Sequence, residues 1–157
     1  AGAARSEDVI TALDLMCQSQ AQAASILSKA HAMTDVTGFG LAGHLAGICE
    51  ASNVAATLKL NHIPVMNGAL ELSQSGTRST LFQDNFAGID SIFGATGPHA
   101  DLLFDPQTAG GLLAAVSPRS APSMLKKLHA AGYTAALIGS LAQGRGIHVI
   151  TNDPESA

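Results

Sequence analysis

The residues of this sequence best suited to bind a phosphate and its metal ion lie together in the segment TDVTGFG. In it, Asp35 precedes Thr37, Gly38 and Gly40. A helix predicted over residues 41–50 follows at once, and the free N–H groups at a helix start favour an anion. The Asp35 carboxylate has the chemistry of a Mg²⁺ ligand, whereas turns and helix caps use aspartate more often. Both interpretations stay open on these residues alone.

A second segment of the same kind, DPQTAGG, occupies residues 105–111. Its polar side chains could reach a ligand, although such side chains more commonly bond their own backbone. The sequence contains no GxSxG, HExxH or GxxxxGK[ST] motif, and its six histidines lack metal-ligand spacing. No catalytic residue is therefore predicted within this chain.

Periodicity predicts the elements that would position these two segments. Apolar residues recur at helical spacing over residues 6–29, which predicts one long amphipathic helix with Cys17 on its buried stripe. Residues 54–60 alternate as a half-buried strand does, and residues 77–100 show no period, which predicts a long loop. Further strands are predicted over residues 102–104, 112–116, 133–138 and 147–150, and further helices over residues 67–74 and 120–128.

This order of elements predicts an α+β fold, with helices packed on one face of a mixed sheet of about four to six strands. Residues 1–157 are expected to form a single domain, because a chain of this length can bury a sufficient core without disulfides. Residues 151–157 are polar and are predicted to be a disordered tail.

Composition excludes several classes of partner. Eight basic residues against twelve acidic ones give a net charge of -4 without a basic cluster, so nucleic acid is not expected to bind. Two cysteines without a CxxC motif fit a reducing cytoplasm. No apolar run approaches the roughly 20 residues that span a bilayer, so no membrane association is predicted.

The two segments also carry a family resemblance. TDVTGFGLAGH, residues 34–44, resembles the signature of selenophosphate synthetases (selenide, water dikinases), and DPQTAGGLL, residues 105–113, resembles their second C-terminal signature. Asn85, between them, also looks like that family. Departures are small: Ala42 stands where a larger apolar residue is common, and Ala109 where serine is common.

The resemblance implies the C-terminal domain of a longer two-domain or fused enzyme of the aminoimidazole ribonucleotide synthetase superfamily. Such an enzyme converts ATP, selenide and water to selenophosphate, AMP and phosphate, and it requires Mg²⁺. The family's catalytic Cys or selenocysteine, its Lys and most ATP ligands belong to the N-terminal domain, so this fragment alone is expected to be inactive. Full-length members are homodimers joined chiefly through that domain, which predicts a monomer or weak dimer here.

Carried over residue by residue, the resemblance implies Asp35 as a Mg²⁺ ligand and Thr37, Gly38 and Gly40 as a loop near the phosphates. It assigns His44 no role beyond orienting the start of the helix, and it assigns none to Asn85 or residues 105–111. Two alternatives stay open: a non-catalytic regulatory or interaction module of a synthetase-like fusion protein, and a superfamily member with another ATP-dependent reaction.

Overall fold

The computed structural model describes residues 2–151, so all of the predicted tail except Thr151 lies outside the described residues. The helices are α1 (Ser6–Cys17), α2 (Ala21–Ile26), α3 (Gly40–Ser52), α4 (Ala69–Gln74), α5 (Phe82–Ala87), α6 (Pro98–Asp101) and α7 (Ala121–Ala130). The strands are β1 (Ala32–Asp35), β2 (Val54–Lys59), β3 (Ile92–Phe93), β4 (Leu112–Ala115), β5 (Gly139–Gln143) and β6 (Ile147–Ile150).

Within the described range these strands form two sheets. The larger sheet has the order β3-β6-β2-β5, in which β6 is parallel to both β3 and β2 while β5 runs antiparallel to β2. The smaller is an antiparallel ribbon of β1 and β4, in which Asp35 lies opposite Leu112. The predicted α+β class with a mixed sheet is confirmed. The mixed sheet contains four strands, and the ribbon forms a second sheet that shares no strand with it.

The main core lies between α3 and the larger sheet. Ala42, Leu45 and Cys49 are buried at helical spacing on one face of α3, while Ala56 and Leu58 are buried at strand spacing on β2. The helix ends where Asn53 adopts a left-handed conformation, a common helix terminus. Gly40 and Ala42 are buried at the start of α3, so the core also holds the end of the loop that precedes this helix.

The predicted helix over residues 6–29 is wrong, because the chain breaks between α1 and α2. Gln18 is extended there, with a ψ of 120°. The Tyr133 hydroxyl donates to the Ser19 carbonyl at 2.7 Å, and the Gln18 side chain donates to the Gly132 carbonyl at 3.4 Å. Two hydrogen bonds with residues just after α7 therefore stabilise the interruption between α1 and α2. The helical periodicity of the sequence does not predict this interruption.

The apolar stripe of α1 is exposed. No α1 residue is buried, and Ile10 and Leu13 are 59% and 52% exposed. Cys17 is exposed as well, so the predicted buried thiol is wrong. The stripe has the expected helical spacing, but no element among residues 2–151 covers it.

Three further predictions are wrong. Residues 77–100 contain α5, β3 and α6 rather than one loop, and residues 102–104 form a 3-10 turn rather than a strand. Residues 133–138 form no strand; Tyr133 and Ala135 instead pack with α2 and α7 in a second, smaller apolar cluster. The strand of that region is β5, which begins six residues beyond Tyr133, where Gly139 passes close to the Thr57 carbonyl.

In the part of the chain that the structure describes, no helix is both long enough and apolar enough to cross a membrane.

Candidate functional site

The two segments identified by their chemistry lie against each other. We call residues 36–40 the glycine loop and residues 105–111 the proline loop. Antiparallel pairing of β1 with β4 brings their ends together, and the Val36 N–H donates to the Gly111 carbonyl at 2.9 Å. The Gln107 N–H donates to the Thr37 carbonyl at 3.0 Å. Each loop therefore donates one backbone hydrogen bond to the other.

Two glycines allow this close approach. A Cβ added at Gly40, where φ is +68°, would lie 2.7 Å from the Leu103 carbonyl oxygen and 3.0 Å from that of Asp105. A Cβ added at Gly110 would overlap the Val36 carbonyl oxygen. Any side chain at either position would push the loops apart, because backbone atoms cannot yield as a flexible side chain does.

His44 holds the glycine loop from within α3. Its Nε2 accepts the Thr37 N–H at 2.9 Å and lies 3.2 Å from the Thr37 hydroxyl. This bond requires an unprotonated Nε2, so the ring proton is on Nδ1 in the neutral imidazole. His44 therefore fixes the glycine loop through Thr37, a contact that the sequence did not predict.

The backbone donors of the glycine loop are only partly used. Thr37 N–H bonds His44, and Gly40 N–H bonds the Thr37 carbonyl at 3.1 Å. The N–H groups of Gly38 and Phe39 have no partner within residues 2–151. Of the loop residues named from the sequence, Thr37 and Gly40 thus shape the loop, and Gly38 contributes a free donor.

Asp35 lies at the end of β1, next to the glycine loop. Its side chain is exposed and makes no hydrogen bond or ion pair to any residue of the described range. No group of three or more His, Cys, Asp or Glu side chains able to hold a metal ion occurs among those residues. The carboxylate has the hard oxygen atoms that Mg²⁺ prefers. The site fits one ligand of such an ion, with further ligands required from elsewhere.

Asp105, the first residue of the proline loop, has the most perturbed carboxyl of the region. Burial raises its pKa, against the opposing effects of a 3.3 Å hydrogen bond from the Gln107 side chain and the positive charge of Arg78. Arg78 itself pairs with Asp101 and lies over the ring of Phe82, 5.3 Å from its centroid. Contacts with Asp101 and Phe82 therefore hold the Arg78 guanidinium, so its positive charge acts on Asp105 from a fixed position.

Asn85, on α5, contacts the glycine loop and the residue just before the proline loop. Its side-chain amide donates to the Gly38 carbonyl at 2.8 Å and to the Phe104 carbonyl at 2.9 Å. The sequence placed Asn85 in an unstructured segment and assigned it no role. Nothing local in the sequence marks α5 as an element that reaches the site.

A shallow depression lies beside α5, next to the ion pair of Arg78 with Asp101. It is lined by Gly76, Arg78, Phe82, Gln83, Phe86 and Asp101. None of the site residues named from the sequence contributes to it.

Comparison with known proteins shows which proteins this chain is similar to. The chain is 38% identical over 143 residues to a selenide, water dikinase from Enterobacter sp. (strain 638), covering 89% of this chain and 41% of that protein. It is 40% identical over 130 residues to a selenide, water dikinase from Dechloromonas aromatica (strain RCB), covering 79% of this chain and 37% of the relative. The chain thus spans about two fifths of the length of the curated relatives it matches.

Among solved structures, the fold matches that of a thiamine-monophosphate kinase from Stenotrophomonas maltophilia K279a. The TM-score is 0.55 at 22% identity, over 76% of this chain and 31% of the other. At that identity the likeness concerns the fold alone. Residues 6–152 match the family of AIR synthase related proteins, C-terminal domain. Since the match covers nearly the whole chain, both loops included, this chain belongs to the AIR synthase related protein C-terminal domain family.

Proposed function

We propose that this chain is the C-terminal domain of an ATP-dependent selenide, water dikinase, which converts ATP, selenide and water to selenophosphate, AMP and phosphate. One observation carries the proposal: two loops far apart in sequence are joined beside the unpaired carboxylate of Asp35. The identity of 38% to a curated selenide, water dikinase over most of this chain supports the choice of reaction.

In this proposal Asp35 supplies one oxygen ligand to Mg²⁺, which would neutralise charge on the ATP phosphates when bound. The glycine loop lies near the phosphates. Gly38 and Phe39 offer their free N–H groups there, while Thr37 and Gly40 hold the loop through bonds already made. Because one carboxylate and one loop are too few for a complete site, the remaining ligands come from another domain.

Helix α1 provides the surface for that domain. Five of its apolar side chains are at least 38% exposed: Val9, Ile10, Leu13, Leu15 and Met16. An exposed apolar patch of this kind commonly marks an interface. The relatives are more than twice as long as this chain, so the proposed occupant is the part of a longer protein that lies outside the matched region.

The test is AMP formation from ATP by a full-length protein carrying this chain, with selenide and Mg²⁺, comparing wild type with Asp35→Asn. This change keeps the size of the side chain and removes its charge. We expect activity to fall by at least about 10- to 100-fold and the Mg²⁺ requirement to rise, since the loss of a group that merely supports a metal ligand already costs about that much. The matched control is Asp90→Asn, which alters an exposed aspartate far along the chain.

The control variant should retain wild-type activity, and both variants should unfold at the wild-type temperature. Wild type without selenide-dependent AMP formation would refute the reaction and favour a non-catalytic module or another ATP-dependent reaction. An Asp35→Asn variant with normal activity and normal Mg²⁺ dependence would leave the reaction standing and remove Asp35 from the metal site.

A further inference from the structure

Asn85 bonds two carbonyl groups from different parts of the chain. The bond lengths of 2.8 Å to Gly38 and 2.9 Å to Phe104 are both normal for N–H···O contacts. Both partners are acceptors only, so the nitrogen of the side-chain amide, rather than its oxygen, must face them. No other common side chain of this size offers two such hydrogens from one atom without a charge.

The helix that carries Asn85 is anchored independently of the site. Phe86 meets the fully buried Phe104 ring edge to face, with centroids 5.0 Å apart, and Phe82 meets the same ring at 6.2 Å. These aromatic contacts fix α5 on the residue whose carbonyl Asn85 binds. The Asn85 amide is therefore positioned by contacts other than its own bond to the glycine loop.

The bond to Gly38 also sets the direction of a neighbouring donor. In a trans peptide the C=O of one residue and the N–H of the next point in opposite directions, and every peptide described here is trans. With the Gly38 carbonyl turned towards Asn85, the Phe39 N–H points away from it. The opposite orientation would present the Gly38 carbonyl oxygen outwards, where it would repel an anion.

We propose that Asn85 is a positioning residue for the ATP phosphates, because it holds the Gly38–Phe39 peptide with its N–H rather than its carbonyl facing the site. This inference rests on the proposed function. It assigns to Asn85 no contact with the substrate: the residue acts through the peptide that it orients.

The experiment compares wild type with Asn85→Asp in the full-length protein and measures KM for ATP and kcat in the selenide-dependent reaction. The aspartate keeps the shape but faces two carbonyl oxygens without donors. We expect KM for ATP to rise about tenfold or more, the scale of a lost hydrogen bond to a charged group. A variant that is merely less stable loses folded enzyme and so loses kcat, with KM unchanged.

The matched control is Gln83→Glu, the same amide-to-acid change at an exposed position of α5; its KM should equal that of wild type. Wild type without activity refutes the proposed function and this inference with it. An active wild type and an Asn85→Asp variant of unchanged KM refute only the inference, as does an equal rise in the control. Should Asn85→Asp not fold, Asn85→Ser, which removes the double donation without adding charge, is measured in the same way.

Discussion

The two joined loops differ from helix α1 in how many of their groups contact a partner within the described residues. The loops are polar and irregular, yet Thr37, Gly38 and Gln107 each have a backbone group bonded to a defined partner. Helix α1 is regular and internally bonded, yet Ile10 and Leu13 project from it without cover. Within this chain, contacts with distant residues therefore hold the irregular loops more than they hold the regular helix.

The difference indicates where each region finds its stabilising contacts. A buried unpaired carbonyl costs free energy wherever it lies, so the loops must meet their partners within this domain. An exposed apolar stripe costs less to leave in water, and a partner outside the domain can cover it later. We therefore expect substitutions in the loops to affect the stability of this chain, and substitutions on α1 to affect its association with a partner.

The largest effect is expected at Gly40. The Gly40→Ala substitution should cost about 3 kcal/mol or more in the free energy of unfolding, because it combines a left-handed φ with a clash against backbone oxygens. Urea denaturation followed by circular dichroism measures it. The control is Gly38→Ala, since a Cβ there meets nothing within 4 Å. Equal costs at the two glycines would show that the loops are not in close contact.

A smaller effect, dependent on pH, is expected at Asp105. Burial raises the pKa of this carboxyl above its value in the unfolded chain, so the folded state holds the proton more tightly. Stability from this group is therefore present at low pH and is lost as pH rises towards the folded-state pKa. Asp105→Asn should be more stable than wild type at neutral pH, with the difference shrinking in acid.

Thermal unfolding at several pH values tests this expectation, with the exposed Asp90→Asn as control. A stability difference between wild type and Asp105→Asn that stays constant from acid to neutral pH would contradict the burial of a titrating carboxyl at this position.

The smallest effect on stability is expected on α1. The double substitution Ile10→Gln with Leu13→Gln should change the free energy of unfolding of this chain by no more than about 0.5 kcal/mol, since both side chains are exposed. The buried Leu45→Ala should cost about 2–5 kcal/mol in the same urea titration. A cost above about 2 kcal/mol for the double variant would mean that α1 is already packed in this chain.

Both site segments were recognisable from sequence because their chemistry is local. Asp35 and Thr37 stand two residues apart, and the proline loop combines its proline and glycines within seven residues. What joins them could not be seen: the β1–β4 pairing and the bonds of Asn85 connect residues with no shared pattern. The hydrogen bonds that Asn85 and His44 make to the glycine loop therefore appeared only with the structure.

The sequence by itself determined the α+β class, the helix α3, the strand β2 and the two motifs, because burial period and turn chemistry depend on near neighbours. Only the tertiary structure decided that β5 begins at Gly139, where α1 ends and which side chains bond the glycine loop. Those outcomes depend on single contacts across the chain, such as Tyr133 to Ser19 and Asn85 to Gly38. Such contacts leave no periodic trace, since one hydrogen bond between distant residues constrains neither of the local sequences that it joins.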